Sequence, residues 1–188
     1  MIKFIKYYTT IILVCSSYSA NSKQINTIAT INNHIITNVD LMIEIKTLEY
    51  LNSQKIIKEQ MPSILQQMIS EKIKELEVIE NKIKINELDV EKKLKIIISN
   101  KKKETTNFVK KNIKKKIMNK DSWDKLIKIK YSNKLEINLN EVEQIIKNRN
   151  LDKEEINKIM LIEKNKKLNI FSKTFYNEIK GKYLIKTF

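Results

Sequence analysis

Apolar residues recur every three or four positions through residues 61–85, MPSILQQMISEKIKELEVIENKIKI, the longest uninterrupted helical pattern in the chain. Met61, Ile64, Leu65, Met68, Ile69, Ile73, Leu76, Ile79 and Ile83 form one stripe, with Lys, Glu and Gln elsewhere, so one face of this helix must be buried. Pro62 suits the first turn, where its missing N–H is not needed and its fixed φ is already helical. After Asn81 the pattern shifts to an extended Ile83-Lys84-Ile85 and then to a new helix start.

A repeated local device marks four further helix starts: Ile36-Thr37-x-x-Asp40-Leu41, Ile85-Asn86-x-x-Asp89-Val90, Ile137-Asn138-x-x-Glu141-Val142 and Leu151-Asp152-x-x-Glu155-Ile156. Each combines a capping box with a hydrophobic staple, and the acid also opposes the positive end of the helix dipole. These predict helices over about 38–52, 87–100, 139–148 and 153–180. The last carries Ile156, Ile159, Met160, Leu168, Phe171, Phe175 and Ile179 at helical spacing, and Gly181 is placed as the left-handed residue that closes it.

Strand character is confined to the two ends. Residues 25–36 interleave Ile with Thr, Asn and Ala and break at Asn32-Asn33-His34, where Asn-Asn signals a turn and His34 is read as a turn residue tolerant of positive φ. Residues 183–188 alternate as a terminal strand. A lone strand is not stable, so the two ends are predicted to pair. The fold class is mostly α: a single helical domain of about six helices, with a small β element joining the strand at about 25–36 to the strand at about 183–188.

Composition narrows the chemistry. A chain of 188 residues suits one ordinary domain. A single Gly leaves no phosphate-cradling loop or dinucleotide fold. One His and one Cys leave no zinc site of Cys and His ligands, and no nucleophilic triad unless His34 serves. The charge of +15 invites a nucleic-acid reading, but Arg149 is the only arginine, and base and phosphate recognition favours the Arg fork.

Residues 1–20 read as a secretory signal: Lys3 and Lys6, then a short apolar run through Ile11 to Cys15, then small residues with cut sites after Ser19 or Ala20. The run is too short to span a bilayer. Cleavage would remove Lys3, Lys6 and Cys15, taking the charge from +15 to +13 and leaving no cysteine, which suits an oxidising compartment.

The Lys-rich stretch 101–118, with Phe108, Ile113 and Ile117, and the stretch 121–131, with Trp123, Leu126, Ile127 and Ile129, read either as solvated faces or as a charged rim around an apolar groove. Trp123 and Tyr131 are either core anchors or groove lining.

The order of these elements resembles the N-terminal chaperone domain of SurA-type periplasmic proteins. The likeness runs from the strand and the I-T-x-x-D-L helix start, through the long helix and Ile83-Lys84-Ile85-Asn86-Glu87-Leu88-Asp89-Val90, to Trp123-Asp124-Lys125-Leu126-Ile127, Lys134-Leu135-Glu136-Ile137-Asn138 and the Asn165-Lys166-Lys167-Leu168 helix. It covers most of residues 25–188, so the domain would be 21–188 after a signal peptide at 1–20. The family often has Gly where this chain has His34 and Lys82. Members usually carry parvulin-type isomerase modules before the final helix, whereas here Arg149, Asn150 and Leu151 leave no room for one, and its histidines are missing.

The resemblance implies an ATP-independent periplasmic holdase for unfolded outer-membrane protein segments, without prolyl isomerase activity and without cofactor or metal. It supplies no residue motif for binding. Such a site needs an apolar groove with adaptable side chains and a charged rim, and Met61, Met68, Phe108, Met118, Trp123 and Tyr131 are the candidate lining residues. No small-molecule substrate is expected. The alternatives are a basic protein that contacts anionic membrane surfaces or nucleic acid through its Lys faces, and an accessory subunit of an envelope assembly.

Overall fold

The computed structural model describes residues 24–101, 103–136 and 152–188. The expected signal at 1–20 and the expected helix at 139–148, with its Asn138 cap, lie outside the described residues. β1 (Thr27–Ile31) and β2 (His34–Thr37) form a hairpin, and β3 (Ile185–Thr187) adds to the other side of β1. The result is an antiparallel sheet in the order β2-β1-β3. The two ends of the described chain therefore pair, with Ala29, Thr30 and Ile31 opposite Thr187, Lys186 and Ile185.

Two backbone expectations at these ends are corrected. The left-handed hairpin residue is Asn32, with φ 50°, while His34 is the first residue of β2 and is exposed. Asn tolerates that conformation better than most residues, and here its Oδ1 accepts from Leu184 N–H of the C-terminal segment at 2.8 Å. Gly181 does not take positive φ; the last helix tightens instead into a 3₁₀ turn, Lys180–Lys182, and turns out through Tyr183 N–H to Lys180 C=O at 3.3 Å. Tyr183 is then fixed by its hydroxyl, which donates to buried Glu77 at 3.1 Å.

Five helices are described: α1 (Asn38–Asn52), α2 (Met61–Glu80), α3 (Glu87–Ser99), α4 (Asn107–Lys130) and α5 (Lys153–Ile179). The boxes at Thr37/Asp40 and Asp152/Glu155 are closed on both sides. At α3 the Asn86 side chain instead accepts from Leu88 N–H, two residues on, and Asp89 pairs with Lys92 on the surface. The stretches 101–118 and 121–131 merge into α4, which starts on a Thr106 cap and runs unbroken for 24 residues.

α4, rather than the shorter α2, joins the two cores. Its C-terminal half packs Trp123, Leu126 and Ile127 with Ala29, Ile31 and Ile36 of the sheet, Ile69 and Ile73 of α2, and Phe175 and Ile179 of α5. Its N-terminal half sends Val109 and Ile113 against Tyr50 of α1 and Leu94 of α3. Most of the α2 stripe is buried or half-buried, but Ile79 is exposed and Glu77 and Val78 are buried at that turn. No helix among the described residues is long and apolar enough to cross a membrane.

Lys82, one of the two positions where the resemblance leads one to expect glycine, holds φ 53° between α2 and the extended 83–85 segment. A side chain there costs roughly 1–2 kcal/mol, partly offset by the unfolded-state entropy that glycine would add. Lys82→Gly is therefore expected to be neutral or to stabilise by up to about 1 kcal/mol in urea unfolding, against the usual penalty for glycine at ordinary φ.

Candidate functional site

β2, α1, α2 and α4 surround a groove of about 750 Å³, within the rough range of 300–1,000 Å³ typical of ligand sites. Its apolar lining comes from all four elements, with Ile43 of α1, half-buried, among it. β2 supplies Ile35, 58% exposed; α2 supplies Met68, half-buried; α4 supplies Phe108, 72% exposed, and Met118, half-buried. These side chains stay accessible because the helices that meet here present polar residues where a core would need apolar ones. On α1, Glu44 and Thr47 are buried; on α4, Asn112 and Lys116 face them.

That polar layer is fully knit. Lys116 Nζ donates to Glu44 at 2.6 Å and to both Glu71 oxygens at 2.9 Å, tying α4 to α1 and α2. Asn112 Nδ2 donates to Glu44 at 2.9 Å and to Thr47 Oγ1 at 3.0 Å. Burial alone would lower the Lys116 ammonium pKa, but the hydrogen bonds and charges of Glu44 and Glu71 outweigh it and hold it above 10.5. Burial would likewise raise the Glu75 carboxyl, yet Lys115 at 3.1 Å and Lys72 at 3.3 Å together draw it below its ordinary value.

Every carboxylate on the groove has a partner within the chain. Asp40 accepts from Thr37 N–H and Oγ–H at 2.8 and 2.7 Å, completing the α1 cap, and the three glutamates are held as above. Among the lysines, Lys114 reaches outward to Glu91 of α3 at 2.5 Å. Lys111 is exposed and has no carboxylate at ion-pair distance among the described residues. The net unpaired charge beside the apolar lining is therefore positive.

Of the six candidate lining residues, Met68, Phe108 and Met118 come together here. Met61 starts α2, half-buried and away from the groove. Trp123 stands in the main core, 3% exposed, stacked on Phe175 at 5.5 Å with its Nε1–H donating to Ser172 Oγ at 2.8 Å. Tyr131 continues that aromatic layer, stacked on Phe171 at 4.8 Å. Lys74 sits beside the same layer, 5.4 Å from the Trp123 ring and 5.6 Å from the Tyr176 ring, its pKa lowered by burial against the opposing pull of Glu71 and Asp124.

Sequence reasoning missed Ile35, Glu44, Lys111 and Lys116. One signal was present: Lys116 lies seven residues before Trp123, about 20° short of two full turns, so it falls on the buried stripe of α4 rather than its solvated side. No family model matches the sequence, and no curated protein matches it.

Proposed function

We propose that this protein is an ATP-independent holdase of the SurA type, a short form without an isomerase module, which takes up unfolded outer-membrane protein segments in the periplasm once its signal is removed. The observation that carries the reading is the groove's apolar lining, where exposed Ile35 and Phe108 meet half-buried Met68 and Met118 in one concave site beside the two cores. Methionine side chains adapt to differing partners because they are unbranched and polarisable. That suits a site which must accept many sequences.

The magnitudes favour holding over tight capture. Full burial of a Phe or Met side chain contributes about 1.5–3 kcal/mol, and these residues already bury part of theirs. After the entropy of association, one segment would bind weakly and leave quickly, and successive segments of one client would rebind at a raised local concentration. Release then needs no nucleotide.

A second reading follows from the lysines of α4: a basic protein that binds anionic membranes or nucleic acid. Salt separates the two, because phosphate binding weakens steeply with ionic strength and apolar capture does not. Dilution of an unfolded β-barrel client into buffer with the purified protein, followed by light scattering, is expected to show suppressed aggregation at both low and high salt. Suppression confined to low salt would favour the second reading, and none at either would end the holdase proposal.

A further inference from the structure

The groove has a chemical preference that a purely apolar holdase site would lack. Phe108, Lys111 and Lys115 lie at i, i+3 and i+7 along α4, so an aromatic ring and two ammonium groups share one face beside the opening. Lys115 is partly neutralised by Glu75, and Lys111 by nothing among the described residues. Glu44, Glu71 and Glu75 are spent on lysines within the chain, and Asp40 on its cap. An incoming carboxylate thus meets a cation with no ion-pair partner among the described residues, while an incoming ammonium finds each described groove carboxylate already paired.

The shape of the occupant follows from the sheet. β2 is an outer strand in the order β2-β1-β3, and its residue Ile35 lines the groove. Its far edge pairs with no strand among the described residues, which leaves backbone groups for an added extended chain. The edge is short, so the pairing is local and side chains carry most of the contact.

We infer that the groove selects extended client segments in which apolar residues alternate with acidic ones, the apolar side chains entering between Ile35, Met68, Phe108 and Met118 and a carboxylate pairing with Lys111. This rests on the holdase reading of the same groove and adds to it a preference of sign. The net positive charge, +15 on the whole chain and +13 without Lys3 and Lys6 of residues 1–20, raises the encounter rate with such segments, but only Lys111 would read them at the groove.

The test is fluorescence anisotropy on the full chain with two dye-labelled peptides of identical apolar residues, alternating with Glu in one and Lys in the other. An exposed ion pair is worth up to about fivefold in affinity, so attraction in one peptide and repulsion in the other should separate them by roughly tenfold at low salt. Lys111→Glu should abolish or invert that ratio. Lys128→Glu, an equal change of net charge about 25 Å further along α4, should leave it nearly intact. Equal affinity for both peptides, or equal effects of the two reversals, would overturn the inference, since bulk charge would then explain any preference.

The aggregation assay on the same preparation keeps the two ideas separate. Suppression of aggregation with no peptide preference sinks the inference and spares the holdase reading. A Lys111-dependent preference with no suppression does the reverse, leaving a binding site for acidic peptides.

Discussion

Trp123→Ala is expected to lower the free energy of unfolding by about 3–5 kcal/mol, the range for removing a large aromatic from a packed core. Trp123 is 3% exposed, stacks on Phe175 and bonds Ser172 through its indole N–H, so truncation opens a cavity and leaves a hydroxyl unpaired. Against a total stability of roughly 5–15 kcal/mol, that is a large fraction. Phe108→Ala, on the same helix, should move stability by less than about 0.5 kcal/mol, because the ring is 72% exposed. Urea unfolding followed by far-UV circular dichroism measures both. The pair also separates folding from binding: Phe108→Ala should weaken client holding in a fully folded protein, whereas Trp123→Ala should fail by unfolding. A Trp123→Ala protein of normal stability would mean the aromatic layer does not anchor α5.

The contrast between those two residues shows where sequence reasoning stopped. Phe108 and Trp123 are 15 residues apart, about 60° around the helix, so periodicity assigns them to nearly the same face. What differs is the element opposite. Trp123 meets Phe175 of α5, brought from far along the chain, while at Phe108 no helix among the described residues closes over the ring, which is 72% exposed. A period says that a face is apolar and is silent about its partner. Local signals fared better because they need no partner: Thr37/Asp40 and Asp152/Glu155 form the caps their spacing demands, and the end strands pair because an alternating segment needs an edge. Local signals failed where several residues could serve. The hairpin took Asn32 rather than His34 for its left-handed position, and α5 ended by tightening rather than by a left-handed Gly181. The polar layer under the groove was the least legible part, since lysine runs on a helix ordinarily face water. Only its position on the buried stripe distinguishes Lys116 from its neighbours.

That lysine carries the other large effect. Lys116→Met is expected to destabilise the fold by about 3 kcal/mol, the low end for removing one partner of a buried ion pair, because Glu44, itself 4% exposed, would lose its cation and retain, among the described residues, the Asn112 hydrogen bond. In urea this is a shift in midpoint of about 1.5 M. The surface pair Lys93–Asp121 is the comparison: Lys93→Met should lose at most about 1 kcal/mol, its ammonium being largely in water. Lys116→Met combined with Glu44→Met should recover much of the loss, since apolar residues of similar volume can replace a buried pair once neither charge is stranded. The pH dependence carries the same signature. Lys116 has a folded-state pKa above its unfolded value of 10.5, so its contribution is fully present below that value and fades as the pH rises through the higher folded-state value. The stability difference between the wild type and Lys116→Met should therefore be flat from neutral pH to about 10 and narrow above it. A difference that narrowed already near neutrality, or a Lys116→Met protein as stable as the wild type, would mean that α1, α2 and α4 are held by their apolar contacts alone and that the charged floor of the groove is solvated.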